Sequence, residues 1–117
     1  MDGLILINKE KGITSFGVVS KIRKIFGTKK VGHCGTLDPN ATGVLLVPIG
    51  VGTKISKYLV EHDKEYVATL KFGLQTDTAD EEGKTINQDD FKLDFEMEEF
   101  YKSKIQELVG IQKQLPP

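Results

Sequence analysis

A single cysteine, Cys34, in a chain of 117 residues excludes an intramolecular disulfide framework and cannot alone supply a structural zinc site. That usage suits a reducing compartment, and a cytoplasmic protein is expected. Long apolar runs are missing too: stretches such as residues 44–49 are far too short to span a bilayer, so no membrane partner is expected. The first residues include Asp2 and run straight into a strand-like segment without a basic region and cleavage site, so no signal peptide is expected. There is no internal repeat, low-complexity tract, cluster of metal ligands or glycine-rich phosphate cradle, and neither a metal nor a small-molecule cofactor is expected.

What is present is ordinary in amount and uneven in placement. Hydrophobic residues make up 38% and charged residues 28%, enough for one small domain with a modest core. The formal net charge of −1 conceals an asymmetry. Residues 1–57 hold nine Lys or Arg against three Asp or Glu, and residues 58–117 hold seven against fourteen, balances of +6 and −7. A basic half of this kind points towards nucleic acid.

Periodicity outlines the elements. Residues 4–7 read as a buried strand. Thr14 or Ser15 can cap a helix that Gly27 ends, with Val18, Val19, Ile22, Ile25 and Phe26 as its apolar stripe. Lys21, Arg23 and Lys24 fall on the remaining face and are read as contacts for phosphate. Residues 44–49 form the next strand, and 53–60 a short helix with Ile55, Tyr58 and Leu59 inward. Residues 66–72 alternate with the two-residue period of a strand. Residues 77–83 are an acidic loop, and 96–109 carry Met97, Phe100, Tyr101, Ile105 and Leu108 at helical spacing before Gly110. Short strands interspersed with helices indicate an α+β fold.

The densest chemistry lies in residues 32–45, Gly-His-Cys-Gly-Thr-Leu-Asp-Pro-Asn-Ala-Thr-Gly-Val-Leu, expected to be a loop entering a strand. Pro39 pushes Asp38 out of the helical region, and the glycines clear space around it. A carboxylate held this way suits a nucleophile or base offered to a bulky substrate. The same pattern without a partner motif would be an Asp-Pro turn and nothing more.

This segment resembles the catalytic motif of the TruB family of tRNA pseudouridine synthases, departing from it clearly only at Cys34, where threonine is usual. Three further matches occur in the right order: residues 3–15, with Glu10 where proline is usual; Lys64-Glu65-Tyr66; and residues 72–80, Phe-Gly-Leu-Gln-Thr-Asp-Thr-Ala-Asp. The resemblance implies the mixed-sheet pseudouridine synthase fold, with residues 1–117 as the N-terminal part of the catalytic domain. The C-terminal half and any RNA-binding module are expected to be absent. A basic partner of the catalytic aspartate is expected beyond Pro117, so residues 1–117 alone are expected to be inactive.

The implied activity is isomerisation of the T-loop uridine of tRNA, with the T-arm as partner and Asp38 catalytic. Asp38 would attack the anomeric carbon or remove a ribose proton, and these routes stay open. The resemblance assigns His33 to the space left by the flipped base, Tyr66 to stacking on the uracil, and Lys9, Gly35 and Thr36 to substrate contact. Lys9 is read as a surface lysine. Asp77 and Asp80 are read as capping their own loop rather than sharing a cation. A Cys34–His33 nucleophile pair is disfavoured because adjacent loop side chains diverge. Two rivals remain: the guide-RNA-dependent branch of the family, against which Ala41-Thr42-Gly43 and Lys54 speak, and a non-catalytic RNA-binding module. Half a sheet would also leave an open edge, and self-association through it is expected.

Overall fold

The apolar run near the N-terminus becomes strand β1, Gly3–Lys9, in the computed structural model of the protein, which describes residues 1–115. Strand β1 pairs antiparallel with β2, Gly43–Ile49, with Ile5 opposite Val47, Ile7 opposite Leu45 and Lys9 opposite Gly43. Side chains alternate across a strand, so Ile5, Ile7 and Lys9 share one face with Leu45, Val47 and Ile49. Helix α1, Ser15–Phe26, covers that face with Val18, Val19 and Ile22, closing a core to which Val31 also belongs.

Both ends of α1 follow from the sequence. The Thr14 hydroxyl accepts from the Gly17 N–H at 2.9 Å, and Gly27, at φ 61°, stops the helix with its N–H on the Arg23 carbonyl. Val18, Val19 and Ile22 are buried and Phe26 packs against them, whereas Ile25 lies at the edge of the stripe and is exposed. Arg23 requires a correction. Its Nη2 donates to the Val31 carbonyl at 3.0 Å, its Nε is buried, and its guanidinium lies 5.7 Å from the Phe16 ring centroid. It therefore ties the helix to the following loop instead of standing with Lys21 and Lys24 on an open basic face.

After β2 the chain makes a 3₁₀ turn, Gly50–Ile55, and then one turn of α2, Ser56–Leu59. The expected single helix is thus two pieces. A 3₁₀ turn advances three residues per turn rather than 3.6, which breaks the apolar face: Ile55 and Tyr58 are exposed and only Leu59 is half-buried. The other face of the β1–β2 pair, with Leu4, Leu6 and Val44 exposed, is also apolar.

The chain divides into two compact units, Met1–Glu65 and Tyr66–Pro117, and the second is built differently. Strands β3, Leu74–Thr76, and β4, Thr85–Gln88, form a short antiparallel hairpin, and helix α3, Phe95–Gln106, follows with Asp94 as its N-cap. Asp77 and Asp80 organise the hairpin loop, as their spacing suggests. Asp77 Oδ1 accepts from the Lys84 N–H at 2.8 Å, and Asp80 Oδ1 accepts from the Thr78 hydroxyl at 2.6 Å and the Glu82 and Gly83 N–H groups at 2.9 and 3.1 Å. The Thr78 bond first, then those amides, hold the Asp80 carboxyl below the usual aspartate range. Phe72, Phe91 and Tyr101 form an aromatic cluster, with Phe72 and Tyr101 centroids 4.4 Å apart. No described residue of this unit is fully buried.

The strand expected at 66–72 is absent. Residues 63–71 carry no regular structure, Val67 is 97% exposed, and Tyr66 and Leu70 are exposed with it. Period-two alternation yields a strand only where a neighbour completes the ladder, and no described strand pairs here. This segment is accordingly expected to be the first cut by trypsin, with Lys64 and Lys71 cleaved at least roughly tenfold faster than Arg23; mass spectrometry of a time course reads the order. Both described sheets are two-stranded and antiparallel, so the molecule is α+β, and no parallel pair occurs among the described residues.

Candidate active site

Residues 31–42 run from the core to the start of β2, and the backbone fixes them at several points. Val31 and Cys34 form antiparallel bridges to Ile49 and Leu46 along the free side of β2. The Gly32 N–H reaches the Pro48 carbonyl at 3.1 Å and the Cys34 N–H the Leu46 carbonyl at 2.8 Å. Cys34 is buried by this arrangement. The neighbouring His33 ring turns away to Gly35, so no cysteine–histidine pair forms. His33 Nδ1 lies 2.6 Å from the Gly35 carbonyl. A carbonyl only accepts, so Nδ1 carries the proton, and in the neutral ring Nε2 is left as an acceptor.

Gly35 makes that contact possible with φ 83°, a left-handed conformation. A Cβ there would meet nothing within 4 Å, so the cost of a side chain is conformational rather than steric. Gly35→Ala is expected to destabilise the protein by about 1–2 kcal/mol, read as a lower thermal midpoint without loss of the fold.

Asp38 is exposed, and the residues on either side of it are held. Before it, the Leu37 N–H donates to Ser15 Oγ at 3.0 Å while Ser15 Oγ donates to the Leu37 carbonyl at 3.2 Å. After it, the Pro39 carbonyl accepts from the Gly12 N–H at 2.7 Å and from Lys9 Nζ at 3.2 Å. The Asp38 carbonyl itself accepts from the Ala41 N–H at 3.0 Å. The result is a fixed backbone carrying an outward-facing carboxylate. Among the described residues no Lys, Arg or His pairs with that carboxylate.

Lys9 is not the surface residue its charge suggests. It is 1% exposed, and its three ammonium donors are used on the carbonyls of Glu10 at 3.0 Å, Ile13 at 2.8 Å and Pro39. Direct substrate contact is thereby corrected to an internal role: the ammonium gathers the turn after β1 and the turn after Asp38 around one point. The signal was in the alternation, since Lys9 has the same parity as the inward Ile5 and Ile7. Thr36 is exposed on the same loop, and His33 is half-buried. The structure therefore brings Lys9, His33, Gly35, Thr36 and Asp38 onto one loop system in the first unit. Tyr66, 67% exposed, opens the second unit. Ser15, 3% exposed, was legible only as a possible helix cap; that Thr14 takes this duty, freeing Ser15, is information the sequence does not carry.

A sequence model described as TruB family pseudouridylate synthase (N terminal domain) matches residues 23–117. Curated relatives named tRNA pseudouridine synthase B align over essentially the whole chain. The protein from Fusobacterium nucleatum is 45% identical over 117 residues, which are 100% of this chain and 40% of that one. The one from Oenococcus oeni is 44% identical over 119 residues, 99% of this chain and 39% of its own length. The one from Caldanaerobacter subterraneus is 46% identical over 121 residues, 100% and 40% respectively. The chain thus spans about two fifths of the length of these relatives.

Proposed function

Residues 1–117 belong to the TruB family of pseudouridylate synthases, and we propose that they carry the aspartate-bearing part of an enzyme that isomerises the T-loop uridine of tRNA. The observation that carries this reading is the Asp38 loop: an exposed carboxylate whose flanking backbone is hydrogen-bonded at Leu37 and at Pro39. In this reading β1 and β2 belong to the mixed sheet of the synthase catalytic fold. In this reading the protein meets its tRNA substrate in the cytoplasm. Among the described residues no helix is long and apolar enough to cross a membrane.

The reaction breaks the bond from the ribose anomeric carbon to uracil N1 and forms one to uracil carbon 5. Carbon 5 loses its hydrogen as a proton, N1 gains one, and no redox change occurs. Asp38 either bonds to the anomeric carbon or takes the proton of the adjacent ribose carbon. Both routes require it ionised, and a cation brought close to it favours that form; the reading assigns this cation to the remaining three fifths of the relatives' length. His33 offers its ring where the flipped base leaves its stack, and Tyr66 stacks on the uracil. Gly35 sets the His33 ring, and Thr36 lies on the exposed side of the loop for RNA contact. The open edge of β1 and exposed Leu4 and Leu6 make self-association of residues 1–117 part of the same proposal.

The test is tritium release from a T-arm RNA labelled at uracil carbon 5. It uses residues 1–117 joined to the rest of the Fusobacterium nucleatum relative, beside residues 1–117 alone. The hybrid is expected to release tritium and the isolated residues are not. Salt-sensitive RNA binding by a hybrid that never releases tritium would instead identify a non-catalytic RNA-binding module.

A further inference from the structure

We propose that Ser15 is a positioning residue for Asp38: its buried hydroxyl, bonded to both backbone groups of Leu37, fixes the peptide plane from which the Asp38 carboxylate projects. The catalytic half of this statement rests on the function proposed above; the structural half stands on the hydrogen bonds alone.

A serine at the first position of a helix ordinarily serves the helix, because the first-turn N–H groups lack partners. Here Thr14 meets that need through its own hydroxyl, 2.9 Å from the Gly17 N–H. The Ser15 hydroxyl is left for another purpose, and at 3% exposure water does not claim it. It uses its one proton on the Leu37 carbonyl at 3.2 Å and a lone pair on the Leu37 N–H at 3.0 Å. Satisfying donor and acceptor of one residue together fixes that residue's orientation, as a strand neighbour would, although residue 37 lies in no strand.

Geometry carries the effect to Asp38. The Leu37 carbonyl and the Asp38 nitrogen belong to one planar peptide unit, so holding the carbonyl holds the nitrogen side of the Asp38 Cα. Pro39 limits the other side through its ring and through its carbonyl, which Gly12 and Lys9 hold. With both neighbours fixed, little beyond the side-chain torsions remains for Asp38 to adjust. Small misplacements of a reacting group are costly in rate, so the hydroxyl is expected to act on turnover more than on RNA affinity.

The test compares Ser15→Ala with Ser15→Thr, which keeps the hydroxyl, and with Val19→Ala, which loosens the core that α1 and Leu37 share while leaving the Ser15 hydroxyl in place. In residues 1–117, Ser15→Ala is expected to accelerate hydrogen exchange of the Leu37 amide by at least about tenfold. The Gly32 and Cys34 amides, held by β2 carbonyls, keep their rates, and the amide-to-α-proton coupling of Asp38 moves towards an averaged value. Ser15→Thr restores both readouts, and Val19→Ala raises all three exchange rates together. Should Ser15→Ala leave Leu37 unchanged, or raise the three rates in step as Val19→Ala does, the proposal is overturned. Should Ser15→Ala itself fail to fold, Ser15→Cys, which keeps the size and weakens the donor, is read in the same way. In the active hybrid, Ser15→Ala is expected to lower kcat by about ten- to a hundredfold with KM within about twofold; a change in KM alone would overturn the positioning role. A wild-type hybrid without tritium release would sink the proposed function, while the exchange and coupling data would still decide whether Ser15 sets Asp38.

Discussion

Lys9→Met is expected to destabilise the first unit by about 3–5 kcal/mol, which in a unit of 65 residues lowers the thermal midpoint by roughly 15 °C or more. Methionine matches the length and flexibility of the lysine stem, so packing changes little; what goes is the donor set. Three carbonyls, on Glu10, Ile13 and Pro39, then lose a charged partner in a place where Lys9 is 1% exposed. The Pro39 carbonyl keeps the Gly12 N–H, but those of Glu10 and Ile13 lose the charged donor, and an acceptor left without a partner away from water costs about 1–3 kcal/mol. Lys9→Arg is also expected to destabilise, since a planar fork with five donors does not fit a cage of three carbonyls built around one nitrogen. Exposed Lys21→Met supplies the contrast, within about 0.5 kcal/mol of the parent. Thermal denaturation followed by circular dichroism measures all three, and a Lys9→Met midpoint within a few degrees of the parent would refute the internal role given to the ammonium.

Asp38→Asn carries the largest expected effect on chemistry, a loss of at least roughly four orders of magnitude in turnover of the hybrid. The substitution keeps size and shape. The bonds that hold the loop come from Ser15, Gly12, Lys9 and Ala41 and engage backbone atoms only, so they survive it. An amide is neither a nucleophile towards an anomeric carbon nor a base towards a ribose proton, so both routes stop. RNA affinity is expected to stay within about threefold, because one exposed carboxylate contributes little to binding a polyanion. Loss of turnover with affinity and thermal midpoint unchanged is the signature of a group that acts only on the reaction.

The elements the sequence announces clearly are those whose signals are local. Helix α1 begins at the Thr14 cap and stops at Gly27 because hydroxyl capping and left-handed glycine each depend on a few neighbouring residues. Strands β1 and β2 are legible because their apolar runs are buried by α1 in the same unit. Residues 66–72 fail for the opposite reason: their alternation is real, but a ladder is a long-range object and no described strand supplies it. The site divides likewise. Asp38, its turn and the glycine beside His33 can be read from the motif. The supports cannot, because charge suggests that Lys9 and Arg23 face water, whereas each is turned inward onto carbonyls that only the fold brings near.

In the proposed function Asp38 is the group that acts on the ribose. The most direct measurement is tritium release from T-arm RNA labelled at uracil carbon 5, comparing the hybrid carrying residues 1–117 with its Asp38→Asn variant at matched RNA occupancy. Release by the hybrid that disappears with Asp38→Asn, while both bind RNA alike, is the predicted result. Release that persists at a comparable rate in the variant would contradict the account, since the carboxylate this loop presents would then have no part in the chemistry.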